Sequence, residues 1–341
     1  MHPAAHPGLL RRRPRLRRPV LAGSMVLEVA SMLLCAFAPN IGWVIAARTL
    51  QGIATGAASG AFTASIIELA PARYKKLGTT LSTIAPAIGL GAGALFAGAA
   101  AQFTDHAPVT VFLVLALLTA LGTVATVLCA ETGALRPGAA GSLIPTVAVP
   151  RAARREFLAA VPVHMGGWLL AGLFMGLAPT VIGNLFHLHN GLVNGATVLA
   201  MQGPSALAGL AFGRLAPRRA TLLGSAAIAI GAALIVVSVA AGVLPLLWIG
   251  GAVGGAGFGT SFSGAVRAIA PLAGTHERAG LFAAVYLVAY LTFGLPVIAA
   301  GFLVAPLGLL PTVTAYAVAI VASAVLGLLT QARIGRSGPV K

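Results

Sequence analysis

Ten long apolar runs dominate this sequence and restrict the folds open to it. Each has about 20 residues or more, the length that a helix needs to cross the hydrocarbon core of a bilayer. A backbone in lipid must satisfy its own hydrogen bonds, and long apolar segments do so as helices. We therefore predict an all-α, multi-pass membrane protein. The runs cover residues 19–38, 42–69, 78–101, 109–130, 157–183, 193–213, 220–240, 243–270, 279–303 and 309–331.

The composition excludes a water-soluble globule. Hydrophobic residues make up 58% of the chain and charged residues 8%, whereas about a quarter of a soluble domain is charged. The net charge of +16 does not indicate nucleic-acid binding, because no soluble segment is large enough to form a basic domain. Cys35 and Cys129 fall near the ends of runs on opposite predicted membrane faces, so we expect no disulfide. We expect no metal site and no cofactor, since metal-type Cys and His spacing does not occur.

Basic residues alternate between the loops. Of the 22 Lys and Arg, 20 lie in the N-terminal segment, in every second loop and in the tail, and the other two are Arg48 and Arg267 within runs. The positive-inside rule makes those segments and both termini cytoplasmic. We predict a cytoplasmic segment 1–18, a four-helix half 19–130, a central cytoplasmic loop 131–156, a six-helix half 157–331 and a cytoplasmic tail 332–341.

The two halves repeat each other in parallel. Segment 17–24 matches segment 218–225 at five of eight positions, with an offset of 201 residues. Residues 70–71 correspond to residues 270–271 with an offset of 200. A parallel repeat of this size is one of the architectures of secondary transporters.

The repeat also predicts a deficit in the first half. In the second half the Arg218-Arg219 pair lies 61 residues after the start of the run at 157, whereas 16 residues precede Arg17-Arg18. We therefore expect the first half to lack about 45 residues, enough for two helices and a turn.

Short motifs accompany the repeat. Gly213, followed by Arg218 and Arg219, matches the ends of the pattern Gly-x-Leu-Ala-Asp-Arg-x-Gly-Arg-Arg without its Asp, and Arg17 and Arg18 are its remnant in the first half. A second pattern, Arg-x-x-x-Gly-x-x-x-Gly, is matched in full by Arg48, Gly52 and Gly56. Of a third pattern, Gly-Pro-x-x-Gly-Gly, the chain retains the Pro as Pro86 and one Gly as Gly89.

These three patterns are signatures of the major facilitator superfamily. The chain resembles that family, in its bacterial drug-efflux-like branch, over residues 17–331. That family has two six-helix bundles joined by a long cytoplasmic loop. The resemblance implies the same two-bundle fold with four plus six helices here, in the inner membrane of a bacterial cell. It further implies a monomer that transports a small molecule, with protons as a candidate coupling ion and antiport as the mode that the third pattern marks.

Arg48 and Glu28 are charged groups within predicted spans. Arg48 lies about 10 Å inside the external end of its run, and a charge at such depth usually faces the bundle interior or a wet cavity. We interpret it as a cavity cation, against the alternative of a snorkelling residue. Glu28 is near mid-span, where low dielectric favours the protonated carboxyl, which suits a proton carrier. A hydrogen-bonded structural role is its alternative.

Small residues predict where helices approach closely. Gly52, Gly56 and Gly60 share one face of their run, as do Gly251, Gly255 and Gly259 in the second half. Tight packing of moving helices is what rocking of two bundles requires. The region of Pro86 and Gly89 is a candidate bend.

Polar and aromatic residues away from the span ends are candidate cavity liners, although each has helix packing as its alternative. They are Gln51, His164, Trp168, Gln202, Tyr286 and Tyr290, with Trp248 as the repeat counterpart of Arg48. The chain has no paired carboxylates, no phosphate-binding loop and no nucleophile elbow, so we predict no catalytic residues and no ATP-driven transport.

Three functions compete at this point. The first is a secondary transporter that exports a small molecule by proton-coupled alternating access. The second is a truncated membrane protein without transport activity, from a frameshift or a start-site error, as the deficit suggests. The third is a membrane enzyme acting on lipids, and the scarcity of ionisable residues argues against it.

The loop charges generate a topology prediction. Reporter fusions at Asp105 and Asn190 should read external, and fusions at Ala140 and Arg333 should read cytoplasmic. Paired phosphatase and fluorescent-protein fusions measure this. An odd number of crossings would contradict the assignment, because the two termini would then lie on opposite faces.

Overall fold

Each predicted apolar run contains a helix in the computed structural model, which describes residues 17–69, 73, 75–128, 147–274 and 276–336. Within these ranges the elements are helical, with no strand. They are α1 (Arg17–Ala36), α2 (Ile41–Leu69), α3 (Lys75–Phe103), α4 (Ala107–Leu128), α5 (Arg154–Gly172), α6 (Ala178–Leu185), α7 (Gly191–Ala211), α8 (Pro217–Ala241), α9 (Leu244–Ile269), α10 (Arg278–Leu307) and α11 (Leu309–Arg336).

The run predicted at 157–183 is more complex than one regular helix. A 3₁₀ turn (Arg151–Ala153) leads into α5, and a π-helical turn (Leu173–Leu177) separates α5 from α6. The helical segment therefore begins before residue 157. The π turn has no counterpart in our prediction, because a shift of hydrogen bonding within an apolar run leaves its composition unchanged.

Six helices of the described chain are long and apolar enough to cross a membrane. A shorter apolar helix covers Leu21–Ala36. The six segments are Ala85–Phe103, Ala107–Leu128, Arg151–Leu185, Pro217–Ala241, Arg278–Leu307 and Leu309–Ile334.

The chain divides into two compact units. The first unit comprises residues 1–79 and 108–144, and in it α1 packs along α2. The second unit comprises residues 80–107 and 145–341, which include most of α3. Its centre is α9, which packs against α5, α7 and α8, while α11 packs against α5 and α8.

Short side chains and one glycine fix several helix ends. Asn40 accepts hydrogen bonds from the backbone N–H groups of Gly42 and Trp43 at the start of α2. Asn190 accepts one from Val193 as the N-cap of α7. Such caps satisfy backbone donors that the first helical turn leaves free. At Gly242 the backbone takes a φ of 68°, a left-handed conformation that ends α8 and that glycine adopts most readily.

The predicted glycine face of α9 is a line of very close helix contacts. A Cβ atom at Gly255 would overlap the carbonyl oxygen of Met201, and one at Gly259 would overlap that of Ser205, both on α7. At Gly251 it would lie 2.6 Å from the Phe174 ring. Gly255 and Gly259 therefore let α9 approach α7 backbone to backbone, and Gly251 leaves room for the Phe174 ring.

On the corresponding face of α2, the described residues make no such backbone-to-backbone contact. Added Cβ atoms at Gly52 and Gly56 would meet nothing within 4 Å, and the surroundings of Gly60 lie outside the described residues. Among the described residues, no neighbouring helix therefore approaches Gly52 closely. Gly89 on α3 is open in the same way, and Pro86 lies within the continuous α3.

Arg218 binds the C-terminal part of α11. Its guanidinium donates hydrogen bonds to the carbonyl oxygens of Gln331 (2.9 Å) and Ala332 (3.0 Å). Carbonyls at a helix C-terminus lack intrahelical donors and carry partial negative charge, so a cation there is stabilising. Arg219 is exposed and Gly213 is half-buried, and the side chains of Arg17 and Arg18 lie outside the described residues.

The glycine line of α9 generates a stability prediction. Gly255→Val should push α9 away from α7 and destabilise the protein by about 1–3 kcal/mol or more, the usual cost of overpacking. The matched control Gly52→Val places the same side chain in open space and should leave the thermal unfolding temperature unchanged. Unfolding in detergent followed by tryptophan fluorescence measures both. Equal losses in the two variants would contradict the packing described here.

Candidate functional site

A chain of polar side chains joins α1 and α2 in the first unit. Nη1 of Arg48 donates to Oε1 of Gln51 at 2.6 Å. Nε2 of Gln51 in turn donates to Oε1 of Glu28, 3.4 Å away. The hydroxyl of Thr55 donates to the same carboxylate oxygen at 3.2 Å. Gln51 therefore connects the two charged groups that the sequence singled out. We call these four residues the polar network.

The helical period explains most of this geometry. Arg48, Gln51 and Thr55 are three and four residues apart along α2, which places them on one face of the helix. Glu28 comes from α1, which packs along α2. Sequence reasoning identified three of the four residues and missed Thr55, whose spacing of four residues from Gln51 was the available signal.

Arg48 is exposed, and a second contact involves its guanidinium. Its Cζ lies 5.3 Å from the centroid of the Phe112 ring on α4, within the distance of a cation–π interaction. Since Arg48 only donates hydrogen bonds, it fixes the orientation of the Gln51 amide with the oxygen towards the cation. The amide nitrogen then faces Glu28.

A cavity of about 390 Å³ lies beside the carboxylate of Glu28. Its walls come from three helices and are mostly apolar. They include Ser24 and Glu28 of α1, Ala54 and Thr55 of α2, and Leu115 and Thr119 of α4. Glu28 is the one ionisable side chain in this lining. A carboxylate held by two neutral donors therefore borders a mostly apolar cavity.

Four of the other candidate residues meet in the second unit, where aromatic rings from three helices come together. His164 and Trp168 lie on α5, and Tyr286 and Tyr290 lie on α10. The sequence analysis missed the rings that join them. The complete group, which we call the aromatic cluster, consists of His164, Trp168, Phe258, Phe262, Tyr286, Tyr290 and Phe293.

The remaining two candidates take part in helix packing. Nε1 of Trp248 donates a hydrogen bond to the hydroxyl of Thr197 at 2.8 Å, which ties α9 to α7. Gln202 is buried, with its amide nitrogen 4.0 Å from the sulfur of Met175 in the π turn. Trp248 thus differs in role from Arg48, its counterpart in the repeat.

Metal-binding groups are not formed by the residues that the structure describes: His, Cys, Asp and Glu side chains do not meet there in sets of three or more. Cys35 is a free thiol, and Cys129 lies outside the described residues.

Comparison with known proteins identifies the fold and the family. The chain superimposes on the crystal structure of a POT family transporter in complex with a thioalcohol-conjugated peptide, with a TM-score of 0.65 and 14% identity. The match covers 94% of this chain and 83% of that one. A search of curated proteins finds no match. The sequence model of the Major Facilitator Superfamily matches residues 14–241, more than half of the chain. The chain therefore belongs to the Major Facilitator Superfamily.

Proposed function

We propose that the protein, a membrane transporter by family and fold, exports a small molecule by proton-coupled alternating access in the inner membrane of a bacterial cell. The observation that carries the proposal is Glu28, a carboxylate in α1 that accepts hydrogen bonds from Gln51 and Thr55 and borders a cavity. In this position the Glu28 carboxylate could bind a proton and also respond to cargo in the cavity.

Glu28 has the surroundings that reversible protonation needs. An ionised carboxylate in a span is costly unless hydrogen bonds or a countercharge stabilise it. Its two donors, Gln51 and Thr55, are neutral. Arg48 is one side chain farther away and does not form an ion pair with Glu28 among the described contacts.

Arg48 has a supporting role in this mechanism. It holds the Gln51 amide in the orientation that donates to Glu28, and the Phe112 ring holds Arg48 in turn. A change at Glu28 thus reaches α4 through a continuous set of contacts. We propose that this connection lets loading of the cavity and protonation of Glu28 influence each other.

Removal of the carboxylate should uncouple transport from protons. Glu28→Gln preserves the shape of the side chain and a hydrogen-bonding oxygen but cannot be ionised. We expect a loss of at least about tenfold in uphill transport, while exchange of cargo without a gradient persists. Proteoliposomes with and without a pH gradient, assayed with a compound that the wild type moves, measure this. Glu277→Gln, at the start of α10, is the matched control. Full gradient-driven accumulation by Glu28→Gln would refute the proposed role.

Arg48 variants test the supporting role. Arg48→Ala should abolish transport while the protein still folds and inserts, because Gln51 loses its fixed orientation. Arg48→Lys keeps the charge without the planar guanidinium and should restore only part of the rate. The initial rate of transport and the elution profile in detergent give the two readouts. Normal transport by Arg48→Ala would show that Arg48 is only an anchor at the membrane surface.

One observation favours a second candidate function, a family member that does not transport. A Cβ atom added at Gly52 of α2 would meet nothing within 4 Å among the described residues, and the neighbouring cavity lies open among α1, α2 and α4. In the repeat, the face of α9 that includes Gly251 is covered by Phe174. Proteoliposomes containing the 341-residue chain separate the two candidates, because transport of any cargo excludes the second.

A further inference from the structure

We propose that the aromatic cluster of the second unit binds a flat, uncharged, aromatic part of the cargo that carries a hydrogen-bond acceptor. The proposal rests on the transport function above and names its substrate class. Two independent observations support it, namely a continuous series of rings that reaches the exterior of the unit and buried polar atoms in the same series that lack partners.

The rings form an unbroken path from the core to an exposed face. The centroid of Trp168 lies 5.4 Å from that of Phe258, 6.1 Å from Tyr290 and 6.2 Å from Phe293. Several of these pairs meet edge to face, the arrangement in which aromatic rings attract each other. His164 continues the path inward through Phe262, at 5.2 Å.

Tyr286 and Tyr290 form the outer end of this path. Their rings are stacked with centroids 6.2 Å apart and an interplanar angle of 28°. Tyr286 is 46% exposed and Tyr290 is 59% exposed. Two nearly parallel, half-exposed rings present a surface on which a third flat ring can stack, at about 0.5–1.5 kcal/mol for each aromatic pair beyond the burial of its area.

Three buried polar atoms of the cluster have no hydrogen-bond partner. They are Nε1 of Trp168 and both ring nitrogens of His164, which is only 1% exposed. An unpaired buried polar group costs about 1–3 kcal/mol. The N–H of Trp168 can only donate, so its missing partner is an acceptor. Trp168 is half-buried and its ring centroid lies 6.1 Å from that of Tyr290, so the unpaired N–H belongs to the ring next to the stacked tyrosines.

The charges of the second unit favour an uncharged ligand. Its described carboxylates, Asp105, Glu156 and Glu277, all lie at helix ends or in turns. None belongs to the aromatic cluster, so an organic cation bound there would have the ring faces to interact with but no carboxylate to neutralise its charge. A neutral ring with a carbonyl group satisfies both the stacking surface and the unpaired donor.

Fluorescence of Trp168 provides the test. In the full chain, Trp43→Phe and Trp248→Phe leave Trp168 as the single tryptophan, and Trp43→Phe with Trp168→Phe leaves Trp248 as a matched control. The probe is 2-acetylnaphthalene. We expect the probe to quench Trp168 saturably and to leave Trp248 unquenched. A tenfold excess of the saturated analogue 2-acetyldecalin should not displace the probe. Tyr290→Leu should bind the probe about tenfold more weakly.

Three results would overturn the proposal. Equal quenching of both tryptophans would mean that the probe only partitions into detergent. Displacement by 2-acetyldecalin would show that flatness does not matter, and tighter binding of tetraphenylphosphonium would show that the site selects cations. The assay uses no pH gradient and reads binding of the probe without any transport step. A failure of proton coupling and a failure of this site are therefore distinguishable.

Discussion

The second unit depends on backbone-to-backbone contact along α9. Lipid provides no hydrophobic drive for helices to associate, so packing and interhelical hydrogen bonds must hold a bundle together. The absence of side chains at Gly255 and Gly259 brings α9 against the carbonyls of α7. On the side facing α5, Leu170 fills the space beside Gly254. These contacts fix where α5 lies, and α5 carries His164 and Trp168.

The same packing places the aromatic cluster. Gly167 of α5 leaves room for the ring of Phe258, which a Cβ atom at that position would overlap. Phe258 can therefore reach Trp168 from α9, and the rings of α10 complete the set. The proposed cargo surface is thus a consequence of close helix packing in this unit and needs no dedicated loop.

The two halves use corresponding positions for different purposes. Arg48 of α2 interacts with Gln51 and Phe112, whereas Trp248, at the same place in the repeat, ties α9 to Thr197. The polar network lies on α1 and α2 of the first unit, and the unpaired ring nitrogens of His164 and Trp168 lie in the second. In our account the first unit supplies the proton-sensitive group, and the second holds the aromatic part of the cargo.

Local signals in the sequence predicted local structure well. Run length gave a helix at every expected position, and helical spacing put Arg48 and Gln51 on one face. The hydrogen bond between Glu28 and Gln51 joins residues 23 positions apart. It depends on how α1 lies along α2, so it could not be predicted from helical spacing. The four-residue spacings of His164 with Trp168, and of Tyr286 with Tyr290, are visible in the sequence, but their convergence with α9 is a property of the tertiary fold. The open space beside Gly52 could not be predicted either, because a pattern of glycines does not show whether a neighbouring helix is present.

Access to the cavity beside Glu28 tests the central claim most directly. Thr119 lines that cavity, and Thr119→Cys, in a chain whose native cysteines are replaced by Ala, reports which side of the membrane reaches it. The measurement is the labelling rate by a membrane-impermeant maleimide in right-side-out and inside-out vesicles. Our account predicts labelling from both sides, with a balance that shifts when one side is acidified and that no longer shifts in Glu28→Gln. Labelling from one side alone at every pH would contradict it.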